Sequence, residues 1–173
     1  MKEVPQLRMR HSLAEVLPPR RLGADCILRA AISTDADAVA VVLGNAFNEA
    51  WDADRVFGEF FNEPAVPVTF VIEKAGVIVA TASYQEKPEP CSSAGWLHWV
   101  GVHADARGLG LGEIVSQRVI TEAQSRGRSC VYLTTDDFRI PAIRTYLRLG
   151  FKPDCWHESH EARWKAVQQQ IGG

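Results

Sequence analysis

From Cys26 onward the apolar positions fall into runs whose period changes along the chain, and each change marks an element. "CILRAA", Cys26 to Ala31, predicts a strand. In "STDADAVAVVLGNAF" the residues Val39, Val42, Leu43 and Ala46 recur at helical spacing behind three N-cap candidates, Ser33, Thr34 and Asp35. "DADRVFGEFFNEP" carries Val56, Phe57, Phe60 and Phe61 on one helical face until Pro64 stops it. "VPVTFVIEKAGVIVATASYQ" is a hairpin, two β-rich runs about the turn Lys74-Ala75-Gly76. "WLHWVGVH", Trp96 to His103, predicts a further strand. A helix then runs to about Arg126 on a ridge of Leu111, Ile114, Val115, Val119 and Ala123, with Gly127 as its stop. "SCVYLTT" is a strand. "IPAIRTYLRLG" is a helix with Pro141 in its first turn, Ile143, Tyr146 and Leu147 on one face, and Gly150 as cap. "FKPDCW" begins a last strand, and "SHEARWKAVQQQI" a terminal helix through Trp164, Val167 and Ile171.

The order is β-α-α-β-β-β-α-β-α, then a tail. Short connections make the three middle strands antiparallel, and the later strand-helix-strand crossover sets two strands parallel. The expected fold class is α+β: a mixed, mostly antiparallel sheet with helices on both faces. Residues 25–173 are expected to form one domain. Residues 1–24, with basic residues but no apolar h-region, and with Arg8, Arg10, Arg20, Arg21 and a Pro pair, read as a loosely ordered leader.

Composition narrows the functional classes. A chain of 173 residues suits one core-bearing domain. A net charge of -2 gives no electrostatic case for nucleic acid as the main partner. No apolar run reaches the roughly 20 residues that span a bilayer, so no membrane partner is expected. Cys26, Cys91, Cys130 and Cys155 are scattered without a CxxC pair, which reads as reduced thiols and a cytoplasmic setting. "CWHESH" brings Cys155, His157 and His160 close in sequence but offers no fourth ligand, so no metal is expected.

The stretch with chemistry in it is "HADARGLGLGEIVSQ", His103 to Gln117. A strand ends, the chain turns through Gly108, Gly110 and Gly112, and a helix begins. Such a turn presents free backbone N–H groups at the positive end of a helix dipole, which suits a phosphate or diphosphate. Walker A requires G-x-x-x-x-G-K-[ST], and neither Gly108 nor Gly110 begins one. The dinucleotide fingerprint G-x-G-x-x-G fails as well, because its third glycine slot holds Glu113 or Val115. What remains is R-x-x-G-x-G, formed by Arg107, Gly110 and Gly112.

This pattern resembles the acetyl-CoA-binding loop of the Gcn5-related N-acetyltransferase superfamily. Val100-Gly101-Val102 stands where that family has its preceding V-x-V. "PAIRTYLRLGFKP" is similar to its later A-x-x-x-Y-x-x-x-G-F segment, through Ala142, Tyr146, Gly150 and Phe151. The resemblance covers Cys26 to Pro153. It implies the acyl-CoA N-acyltransferase fold, an α/β/α sandwich whose fourth and fifth strands are parallel and splay apart. It implies acetyl-CoA as co-substrate, with Arg107, Gly108, Leu109, Gly110, Leu111, Gly112 and Glu113 around its diphosphate. The pantetheine arm would run along Val100, Gly101 and Val102, past Ala142, with a backbone N–H near Val100 as oxyanion donor.

Tyr146 occupies the family's tyrosine position near the thioester sulfur, as a general acid, and equally fits a core position. His98, two residues before Val100 and so expected on the same face, is the candidate base or else a hydrogen-bonded sheet histidine. Arg139 stands where many members have asparagine; it could bind a CoA phosphate, pair with Asp136 or Asp137, or face water. Trp96 and Trp99 should face opposite sides of their strand. Asn45, Phe47, Asn48, Glu49 and Trp51 lie where the acceptor usually enters. The implied activity is acetyl transfer to a primary amine, small molecule or peptide, by a monomer or homodimer. The rival is an acyl-CoA-binding sensor without catalysis. An oxidoreductase with a nucleotide cofactor is disfavoured by the failed fingerprint.

Overall fold

Strand formation begins earlier in the chain than the hydrophobic pattern predicts. The structure, a computed structural model, describes residues 4–14 and 18–172. Its first strand, β1, is Leu7–His11. Leu7, Met9 and His11 point inward and are essentially unexposed, while Arg8 and Arg10 alternate with them. The expectation of a loose leader is therefore corrected for this segment. Two arginines in five residues conceal a period-2 strand, because Arg8 reaches Asp154 at 2.6 Å and stays in the sheet. Residues 1–3 and 15–17 of that leader lie outside the described residues.

The remaining strands follow the predicted sites: β2 (Cys26–Ala30), β3 (Val68–Lys74), β4 (Val77–Gln85), β5 (Ala94–Val102), β6 (Cys130–Thr135) and β7 (Lys152–Asp154). The sheet order is β2-β3-β4-β5-β6-β1-β7. β2 to β5 are antiparallel neighbours, and β5 and β6 are parallel as the crossover requires. β1 lies between β6 and β7, antiparallel to both.

The helices are α1 (Ala36–Phe47), the short α2 (Ala53–Val56) that widens into a π turn over Phe57–Phe61, α3 (Leu111–Ser125), α4 (Ile140–Arg148) and α5 (His160–Gly172). Asp35 does not cap α1 in the usual way. It accepts the Ile32 N–H and holds Arg29 at 2.7 Å, which steadies a 3-10 turn before the helix. Asp52 does cap α2, accepting the Arg55 N–H.

Strand alternation divides the core between the two faces of the sheet. Phe70 and Ile72 of β3 pack with Ile114, Val115 and Val119 of α3 and with Ile143 of α4, and Trp164 and Val167 of α5 join them. Val71, between those β3 residues, joins Val39, Val42, Leu43, Val56 and Phe60 on the α1–α2 side. The result is the expected α/β/α layering. Ile143 and Tyr146 of α4 are buried as its periodicity predicts, whereas Leu147 is half exposed at the helix edge. No helix of the described residues is long and apolar enough to cross a membrane.

Candidate active site

Between β5 and α3 the chain makes a 3-10 turn, Ala104–Ala106, pinned to α1 by the Asn45 Oδ1 that accepts the Ala104 N–H at 2.8 Å. Gly108 and Gly110 then take φ of 80° and 73°, a left-handed backbone that only glycine adopts cheaply. A Cβ on Gly108 would meet nothing within 4 Å, so the loop's outer face is open to a ligand. A Cβ on Gly112 would lie 3.3 Å from Val102, so this glycine lets the helix start close to the strand. The first bonds of α3 run from the Glu113 and Ile114 N–H groups to the Gly110 carbonyl. Among the described residues, the five N–H groups of Gly108 through Gly112 find no backbone acceptor. They crown a cleft of about 790 Å³ that also holds Arg107, Arg139, Arg144 and Arg148. Free donors, a helix N-terminus and several guanidinium groups fit a diphosphate.

Glu113 is the exception in this cationic cleft. Its carboxylate is buried and held by two arginines, Arg20 at 2.5 Å and Arg148 at 3.0 Å. A buried carboxylate repels phosphate, so what Glu113 contributes is the placement of those two guanidinium groups.

Beyond the loop, β5 and β6 pair only from Ala94↔Cys130 to Trp96↔Tyr132 and then separate. Leu97 to Val102 therefore have no strand neighbour on that side. A second cavity, of about 150 Å³, occupies the gap. His98 and Val100 of β5, Thr134 of β6, and Arg139, Ala142 and Tyr146 of α4 and its approach line it. Val100, Arg139, Ala142 and Tyr146 line the large cleft too, so the two spaces adjoin.

The structure corrects the expected parity of β5. The strand carries a bulge opposite Thr81–Ser83, where three steps on β5 match two on β4, and Trp99 sits in it with φ 48°. Leu97, Val100 and Val102 pack toward α3, whereas Trp99 packs into the α1–α2 core. His98 therefore lies on the opposite face from Val100, and Trp99 joins Trp96 and His98 instead of opposing Trp96. One inserted residue flips everything before it. His98 reaches the cavity from the α1 side and Tyr146 from the α4 side.

Burial sets both protonation states. Burial pushes the Tyr146 phenol up to about 12, with the Arg139 charge opposing it. Desolvation, helped by the Lys87 charge, pushes His98 down to about 4. At neutral pH the first is a proton donor and the second a neutral acceptor. Arg139 pairs with Asp136 at 3.2 Å, one of its sequence readings, and its guanidinium lies 4.3 Å from the centre of the Phe47 ring while also lining the large cleft.

Around the α1–α2 junction, Phe47, Trp51 and Trp99 form an edge-to-face cluster, with centroids 5.2 Å and 4.7 Å from Trp99. The cation over Trp51 is the chain's own Arg55, at 3.7 Å, and Glu49 pairs with that arginine. Asn45 serves the turn described above. Asn48 closes α1 with φ 54°. Of the five acceptor-side candidates only Phe47 lines the small cavity. His160 is fully buried against Trp156 and Cys155 is exposed, and among the described residues no three His, Cys, Asp or Glu side chains could share a metal ion.

Sequence reasoning missed three site residues. Arg20 lines the large cleft, Gln6 lines the small cavity and donates to Asp136 at 2.9 Å, and Lys87 sets the charge felt by His98. Arg20 and Gln6 come from the segment taken for a leader and reach the site only through tertiary contacts.

Comparison with known proteins agrees with this geometry. The model of the acetyltransferase (GNAT) family matches residues 36–151. Mycothiol acetyltransferase of Actinosynnema mirum is 36% identical over 77 residues, 44% of this chain and 23% of that protein. Its counterpart in Thermomonospora curvata is 33% identical over 82 residues, 47% of this chain and 27% of that protein. Among solved structures, a GCN5-related N-acetyltransferase from Kribbella flavida matches with TM-score 0.61 and 25% identity, over 86% of this chain and 54% of that one. The structure of yncA from Salmonella typhimurium with its cofactor acetyl-CoA has the same fold, at TM-score 0.66 and 22% identity over 74% of this chain and 80% of that one. The matched stretch thus spans about a quarter of the curated relatives. The match to the family model is continuous from α1 through the glycine loop to Phe151, and on that ground the chain belongs to the acetyltransferase (GNAT) family.

Proposed function

We propose that the protein transfers an acetyl group from acetyl-CoA to a primary amine by direct attack. The observation that carries this reading is the convergence of Tyr146 and His98 on one cavity in the β5–β6 gap, next to a loop with five free N–H groups. The loop would hold the diphosphate and the edge of β5 the pantetheine arm, leaving the thioester between the two side chains. The amine nitrogen bonds to the thioester carbon, and the C–S bond breaks. The N–H proton leaves for His98 as the nitrogen becomes acidic on bonding to carbonyl. A histidine pushed down to about 4 is a poor base toward a free ammonium ion but suits this later proton. Tyr146, protonated throughout the neutral range, donates its O–H to the departing sulfur. Val100 and its neighbours supply backbone donors for the carbonyl oxygen.

Catalysis is favoured over a sensor role because the two proton-handling groups have opposite protonation states in one enclosed space. The test is thiol release from acetyl-CoA over a panel of primary amines, alongside direct measurement of acetyl-CoA binding. Amine-dependent release supports the proposal. Tight binding with no release on any amine would leave a sensor, and no binding would remove the acetyl-CoA reading altogether.

A further inference from the structure

Residues Pro18 to Leu22 cross the first turns of α3. Gln117 fastens them there from both sides: its Nε2 donates to the Pro18 carbonyl at 3.0 Å, and its Oε1 accepts the Arg20 N–H at 3.3 Å. Leu22 packs against the core beyond. The reciprocal pair fixes the backbone of Arg20 and sends its side chain over the glycine loop. Nη1 stands 3.4 Å from where a Cβ on Gly110 would be, while Nε pairs with Glu113 at 2.5 Å. The side chain is half exposed, at 51%, so its outer N–H groups face the cleft. Arg148 takes the other oxygen of Glu113. One buried carboxylate thus aims two guanidinium groups at the mouth of the diphosphate cradle.

We propose that Arg20 is a ligand of the acetyl-CoA diphosphate, carried into the site by the N-terminal segment. The inference rests on the acetyl-CoA reading above and adds a binding residue outside the loop and outside the stretch that matches the family model. Glu113 keeps Nε of Arg20, and the free Nη groups meet the phosphate oxygens as a planar fork. The cation thus reaches the cofactor from outside the loop, on a segment that Gln117 fastens to α3.

The experiment measures dissociation constants by calorimetry on the full chain, for the unaltered protein, Arg20→Gln, Arg20→Lys and the neighbouring exposed Arg21→Gln. The probes are acetyl-CoA, 3′-dephospho-acetyl-CoA and S-acetylpantetheine, which lacks the diphosphate. Arg20→Gln is expected to weaken acetyl-CoA and its 3′-dephospho form about tenfold each, the worth of one charge-assisted contact, and to leave S-acetylpantetheine unaffected. Arg20→Lys should recover part of the loss and Arg21→Gln should match the unaltered protein. The salt dependence of acetyl-CoA binding should be shallower in Arg20→Gln. Unchanged acetyl-CoA affinity in Arg20→Gln would overturn the assignment. So would an equal loss for S-acetylpantetheine, which would mean the segment only props the fold. A penalty confined to the 3′-phosphorylated probe would move Arg20 to that phosphate and overturn the diphosphate assignment. Failure of the unaltered protein to bind acetyl-CoA is a separate result that removes the underlying reading.

Discussion

Replacing His98 by glutamine removes a titrating ring while keeping a hydrogen-bonding end, and the effect on stability is set by where the ring sits. An exposed histidine titrates near 6.5, and burial with the Lys87 charge brings His98 down to about 4. The unfolded chain therefore binds this proton between pH 6.5 and 4 while the folded one does not. Stability from the neutral ring is fully present above pH 6.5 and is lost as pH falls toward 4. At about 1.4 kcal/mol per pH unit, the unaltered protein should lose about 2 kcal/mol more than His98→Gln between pH 7 and pH 5. With a urea slope of about 2 kcal/mol/M, the gap between their unfolding midpoints should shift by about 1 M. Circular dichroism during urea titration at the two pH values measures it, above the range where most carboxylates titrate. The same ring state should appear in catalysis: the acidic limb that His98→Gln removes from kcat/KM should lie near pH 4. Parallel midpoints at pH 7 and 5, together with a His98-dependent limb near 6.5, would show that the ring is solvated and would remove it from the enclosed site.

Tyr146→Phe should lower kcat by about 100-fold, at the low end for loss of a positioned acid, with acetyl-CoA affinity nearly unchanged; a stopped thiol-release assay reads both. Gly110→Ala places a Cβ at φ 73° beside Arg20 and should cost about 1–2 kcal/mol in loop strain, seen as a melting temperature lower by about 2–8 °C and, where the loop relaxes away from this conformation, as weaker acetyl-CoA binding in calorimetry. Leu7→Ala should destabilise the protein by about 2–5 kcal/mol in chemical denaturation, because the side chain is fully buried in the core that α3, α4 and α5 cover; a change below about 0.5 kcal/mol, the size of a surface effect, would mean β1 is not docked.

The elements from Cys26 onward were legible because each has a clean period and a stop: Gly127 and Gly150 end helices where expected, and the turn at Lys74-Ala75-Gly76 closes its hairpin. The diphosphate loop was legible because Gly108 and Gly110 need a backbone that other residues resist. The bulge at Trp99 was not, since no residue type announces it; a tryptophan at positive φ is tolerated only because Phe47, Trp51 and the Glu59 carboxylate, which accepts its indole N–H at 3.1 Å, fix it from outside the strand. That single residue decides which face His98 serves. β1 was hidden for a different reason. Its polar alternates are arginines, and what makes Arg8 compatible with a sheet interior is Asp154, far along the chain, together with the rings of Tyr132 and Trp156 at 5.1 Å and 5.0 Å.

The position of β1 has a kinetic consequence. Arg8 and its partner Asp154 are 146 residues apart in the chain, and β1 pairs only with β6 and β7. During folding, β1 stays without a strand partner until β6 and β7, far along the chain, are in place. The β2–β5 meander and its helices can collapse earlier on local contacts, but the far half of the sheet closes only by a long-range loop whose entropy is lost before its contacts form. Completion of this half of the sheet is therefore a late step in folding.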